Sequence, residues 1–183
     1  AGPKITVWIN GRKLTDWTDD RPQAAGRIDL GSSFDHVRFS NLRVERVPGL
    51  SPYYSELIDD MHMVSWDDAR TGILRYSGAW RHLNGQGMFT YMRSISRTDQ
   101  IGASLTCAFE GTGLDVFGPS DGTTRVDVYV DGSLTMENTA LQVNEGSLRT
   151  QLRVGGLQSG HHEVTLKLAN AREWDIDAIG VLA

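Results

Sequence analysis

Apolar and polar residues alternate with a period of two along most of the chain, and turn residues interrupt the alternation at short intervals. That period places successive side chains on opposite faces of a strand. Lys4 to Ile9 alternates and runs into Asn10-Gly11, a pair that tolerates the positive φ of a tight hairpin turn. Residues 27–30 and 36–45 read as further strands. After a break the strand pattern resumes at 72–76, 102–109, 113–117, 125–130, 133–137, 148–154, 162–168 and 175–181. The 125–130 segment closes in Asp131-Gly132, a second hairpin signal. Eight strands joined by short turns, with no long helical period, predict an all-β antiparallel sandwich.

The break lies at Pro48-Gly49-Leu50-Ser51-Pro52, which reads as a linker. The stretch after it is ambiguous, since Ser55 to Met61 suits a short helical turn or a continued linker. Charge changes at the same place. Residues 1–50 carry 8 basic and 6 acidic side chains, a net of +2, and the remainder carries −7, which together give the −5 of the whole chain. The predicted organisation is a segment 1–47, a linker 48–63 and a module 64–183.

Composition removes several function classes. With 183 residues, 39% apolar and 22% charged, the chain has the balance of a folded protein with a sizeable core. A pI of about 5.5 lacks the basic footprint of a nucleic-acid binder. No apolar run approaches the ~18 residues of a membrane helix, so neither nucleic acid nor membrane is an expected partner. The single Cys107 cannot form an internal disulfide and, from its alternating context, reads as a buried packing residue. Ala1-Gly2-Pro3-Lys4 has no basic-then-apolar pattern, so any export signal is expected to lie outside this chain.

The ordered pieces of 64–183 are Trp66-Asp67-Asp68, Ile73 to Trp80, Phe109 to Gly118, Asp127 to Gly132, Gly156 to Val164 and Ile176-Asp177-Ala178-Ile179. Together they resemble a family of secreted jelly-roll modules, carbohydrate-binding in type, that are appended to glycoside hydrolases and surface proteins. The first 47 residues, with Gly26 to Gly31 and Val37 to Val44 after the hairpin, are similar to the closing strands of a concanavalin-like or laminin-G sandwich. Galactocerebrosidase-type hydrolases end in such a domain. Three or four strands cannot close a two-sheet core, so 1–47 reads as a domain fragment.

Carboxylates are the first candidate chemistry. Asp67 and Asp68 open the module, while Asp175 and Asp177 lie near its end, and the first and last strands of a jelly roll are commonly neighbours. Oxygen donors converging there suit Ca²⁺, which takes six to eight of them. The resemblance implies a structural calcium held by Asp67, Asp68 and Asp177; the alternative is that these residues cap turns. Sugar binding needs a flat ring beside hydrogen-bonding side chains. The polar loop after Trp80 and the loop before the last strand supply candidates: Trp174 and Tyr91 as stacking rings, with Arg172, Asn84 and Gln86 for the hydroxyls. Trp80 reads as core. His161 and His162 are adjacent on a strand and point to opposite faces, so they do not grip one ion; the resemblance implies a structural role for the second.

No acid–nucleophile pair, Gly-x-Ser-x-Gly elbow or His-Glu-x-x-His stands out. The expected function is that of a non-catalytic, carbohydrate-binding ancillary region of a secreted glycoside hydrolase or surface protein. Its partners would be an oligo- or polysaccharide and the catalytic domain of a larger parent chain. Two alternatives stand beside it: the C-terminal part of a galactosidase-like enzyme, or a structural or adhesion sandwich without a ligand.

Overall fold

The computed structural model describes residues 4–18, 40–42, 54–61, 73–87, 90–144 and 149–183. The chain divides into two compact units, Ala1–Tyr53 and Tyr54–Ala183. In the first, β1 (Lys4–Ile9) and β2 (Arg12–Thr18) form an antiparallel hairpin in which Ile5 faces Trp17. Asn10 and Gly11 both have positive φ (51° and 76°), the geometry the sequence predicts for this turn. The expected strand 27–30 lies outside the described residues. Of 36–45 only 40–42 are described, and these form no strand.

The second unit is an antiparallel β-sandwich with jelly-roll character. Its larger sheet runs in the order β3 (Tyr54–Asp59), β12 (Ala178–Leu182), β7 (Ser104–Phe117), β10 (Thr150–Leu168), β8 (Arg125–Val130) and β9 (Ser133–Ala140), and β4 (Leu74–Ser77) also pairs with β7. A smaller sheet runs β11 (Trp174–Ile176), β6 (Ser94–Thr98), β5 (Arg81–Asn84). Leu105, Leu114, Val116, Leu166 and Ile179 of the large sheet share one buried cluster with Trp174 and Ile176 of the small one. The core therefore lies between the two sheets, where removing apolar area from water contributes roughly 25 cal/mol per Å².

Several elements differ from the sequence reading. The expected linker and helical turn at 53–63 contains a strand, β3, which pairs with β12 from Ala178↔Asp59 to Leu182↔Tyr54. Its alternation is concealed because it carries apolar side chains on both faces. Tyr54 packs edge-on against Phe117 and donates its hydroxyl to Asp115 at 2.5 Å, while Ile58 enters the core. The expected breaks at 110–112 and 155–161 are not turns between separate strands. They are glycine-rich stretches of two long paired strands, with Gly113 opposite Gly155 and Gly111 opposite Gly160, and residues 156–159 bulge out of register. The expected last strand 175–181 is instead two strands. The chain leaves the small sheet after Ile176, crosses at Asp177 and enters the large sheet at Ala178.

Cys107 is buried as expected. His162 is held by the Asp131 carboxylate in the β8–β9 turn at 2.8 Å and by the Gln158 carbonyl at 2.7 Å. His161 instead meets Glu110 on the other side of the strand. Among the described residues, no helix is long and apolar enough to cross a membrane.

Candidate functional site

The short strand β11 organises both ends of the small sheet. At its start, three connections meet: 118–124, 141–144 and 169–173. Ser120 and Asn144 exchange backbone hydrogen bonds of 3.3 and 2.8 Å. Asn170 ties the third connection to the first, donating to the Thr123 carbonyl and accepting from the Arg125 N–H. Thr124 donates its hydroxyl to the Glu173 carbonyl at 2.8 Å. Gly118 allows the close approach beneath them, because a Cβ there would collide with the Asp175 carbonyl oxygen and the Gln151 amide.

These connections enclose an open cleft of about 560 Å³. Ser120, Asp121, Thr123, Asn144, Arg172, Glu173 and Asp175 supply its polar lining, with Pro119 and Val143 as apolar members. The Asp121 carboxylate accepts from the Thr123 N–H and hydroxyl, and these bonds, aided by the charge of Arg172, hold its carboxyl below the usual range. Among the described residues the Arg172 side chain donates no hydrogen bond. The acidic wall is built differently. Arg97 grips Asp175 through two bonds of 2.6 Å and lies 3.3 Å from Glu173. Arg81, directly across from Arg97, reaches Glu173 at 3.7 Å. Two facing arginines repel, and the two carboxylates between and beside them offset that repulsion.

The opposite end of the small sheet is a buried polar cluster. Ser94 and Ser96 point inward and donate their hydroxyls to the two carboxylate oxygens of Asp60, each at 2.6 Å. His82 meets the Ser96 hydroxyl through Nδ1, and Tyr76 donates to the Asp60 carbonyl. Asp177 accepts the Tyr91 N–H through Oδ1 at 2.8 Å, whereas its buried Oδ2 has no hydrogen-bond partner among the described residues. Burial pushes the Asp60 carboxyl up to about 7 despite the two serines. Burial again, with the nearby charges of Asp60 and Asp59 adding to it, pushes Asp177 up to about 8.

The five residues expected to bind sugar do not form one site. Arg172 lines the cleft. Trp174 is no stacking platform: it is 1% exposed, faces inward on β11 beside Ile176, and packs against Trp80 with ring centroids 5.4 Å apart. Trp80, expected in the core, is the more exposed of the two and only packs against the core's margin. Asn84, Gln86 and Tyr91 belong to the β5–β6 connection, at the Ser94 end of β6, whereas Trp174 pairs with Thr98. Those ends are about 13 Å apart along the strand. Gln86 is engaged locally, with its side chain donating to the Asn84 carbonyl.

Asp67 and Asp68 lie outside the described residues. The carboxylates brought close to Asp177 are Asp59 and Asp60, which the linker reading hid. Asp121 and Asn144 were also missed, because a Pro-Ser-Asp-Gly run and a lone Asn read as turn residues. Among the described residues, no group of three His, Cys, Asp or Glu side chains is arranged to hold a metal.

No protein-family model matches the sequence, and no curated protein matches it. Solved structures do. A CBM35 from Paenibacillus barcinonensis is similar at TM-score 0.47 and 16% identity, over 61% of this chain and 94% of that one. The CBM36-1 domain of a multidomain xylanase from the hindgut metagenome of Trinervitermes trinervoides is similar at TM-score 0.45 and 12% identity, over 70% and 96%. An exo-beta-1,3-galactanase from Phanerochaete chrysosporium, solved with beta-1,3-galactotriose, is similar at TM-score 0.44 and 18% identity; the match covers 59% of this chain and spans 27% of the galactanase.

Proposed function

We propose that the second unit binds carbohydrate in the cleft beside Arg172, as a non-catalytic ancillary region of a secreted glycoside hydrolase or surface protein. The observation that carries this reading is the cleft's lining. Carboxylate, hydroxyl, amide and guanidinium groups on three connections of the sandwich line a volume suited to a small saccharide. Sugar hydroxyls both donate and accept, so a lining that holds acceptor-only carboxylate and donor-only guanidinium groups matches them. A weak module of this kind acts by proximity, raising the local concentration of a polymer near a catalytic domain elsewhere in the parent chain. Glycan-array binding by the full chain tests the reading: saccharide hits are expected, and a blank array favours a purely structural sandwich. Turnover of a chromogenic galactoside would instead favour the enzyme alternative.

A calcium ion beside Asp177 is a second reading, favoured by the orphaned, buried Oδ2. Asp67, Asp68 or backbone carbonyls would have to complete a shell around that oxygen. Bound there, the ion would neutralise buried carboxylates and stabilise the fold.

A further inference from the structure

We propose that the Arg172 cleft takes an uncharged polyhydroxyl ligand, a neutral sugar rather than a uronate, because its ionic groups balance one another before any ligand arrives. This deepens, and rests on, the carbohydrate reading of the same cleft.

Among the described residues three carboxylates line the cleft: Asp121, Glu173 and Asp175. Both oxygens of Asp175 are taken by Arg97, and Glu173 lies between Arg97 and Arg81. Neither arginine lines the cleft, and each lies beside a wall carboxylate. Among the described residues the ligand-facing charges that remain are Asp121 and Arg172, which are near enough to influence each other. A uronate carboxylate would therefore have one cation to meet, already offset by Asp121, and would approach a chain of net charge −5. A neutral hydroxyl pair meets no such opposition. It can accept from Arg172 and donate to Asp121.

Matched oligosaccharides of galactose and of galacturonic acid, titrated calorimetrically against the full chain at about 50 and about 500 mM NaCl, test this. The expected result is binding of the neutral oligomer with less than about a twofold change across salt, and binding of the uronate at least about tenfold weaker. Uronate binding as tight as neutral binding, or an affinity that falls steeply with salt, overturns the inference and leaves the carbohydrate reading standing. If neither oligomer binds and a neutral glycan panel is blank, the carbohydrate reading falls and takes the inference with it. Glu173→Gln supplies a second measurement on an exposed, foldable position. Arg97 stays bound to Asp175, but Arg81 loses its carboxylate, which should raise uronate affinity severalfold and make it salt-dependent. An unchanged preference overturns the inference, because the ion pairs of the wall would then not set the charge of the cleft.

Discussion

The two ends of the small sheet use the same residue type in opposite ways. At the cleft end, Asp175 is held by two short bonds to Arg97 and Glu173 is bracketed by two arginines, so each carboxylate has a cation beside it. At the other end, Asp60 and Asp177 are fully buried with hydroxyls and one backbone amide for company, and among the described residues no cation is bonded to either. Burial without a cation drives a carboxyl toward its neutral form, whereas burial beside a guanidinium preserves its charge. A strand three residues long thus separates a charged surface fit for recognition from a proton-holding cluster inside the fold.

What joins the two ends is the inward face of β11. Trp174 is enclosed by Trp80 and the core cluster, so Trp174→Ala should cost about 3–5 kcal/mol in chemical denaturation, by removing a large buried ring and leaving a cavity. Trp80→Ala should cost clearly less. Equal costs would mean that the two tryptophans share the core alike and that β11 does not anchor the sheet.

The contrast also predicts a direction with pH. Asp60 and Asp177 have folded values near 7 and 8, above the 3.8 of an ordinary aspartate. Between those values the folded state keeps protons that the unfolded state has released. Their contribution is therefore fully present below about pH 3.8 and is lost as pH rises through 7 and 8, at no more than about 1.4 kcal/mol per pH unit for each group. Thermal melts from pH 5 to pH 8, at fixed ionic strength of about 0.15 M, should show this loss, and Asp177→Asn should flatten it. If calcium binds at Asp177, added Ca²⁺ should raise the melting temperature most at the alkaline end, and chelator should remove the gain. A melt insensitive to both Ca²⁺ and chelator returns Asp177 to a turn-holding role through the Tyr91 N–H.

Much of the architecture was legible because it rests on local signals. Both positive-φ hairpin turns, Asn10-Gly11 and Asp131-Gly132, and the alternation of β7, β8 and β10 are written in short windows. The site was less legible because it depends on register. Trp174 looked like a loop residue, but the last strand pair begins there, and one position decides whether the ring faces water or the core. Strand β3 was hidden by apolar side chains on both faces, and Asp59 and Asp60 were hidden with it. The cleft draws on residues more than fifty positions apart, Asp121 and Arg172, whose meeting follows from strand order alone.

The central claim is that recognition belongs to the cleft end. Calorimetric titration of one array-selected neutral oligosaccharide into the wild type, Arg172→Ala and Asn84→Ala tests it directly. Both substituted side chains are exposed, so neither change should move the melting temperature appreciably. The account predicts that Arg172→Ala loses at least about tenfold in affinity, through a lost charged hydrogen bond, while Asn84→Ala binds as the wild type does. Unimpaired binding by Arg172→Ala, with loss in Asn84→Ala, would contradict it and move the site to the β5–β6 connection.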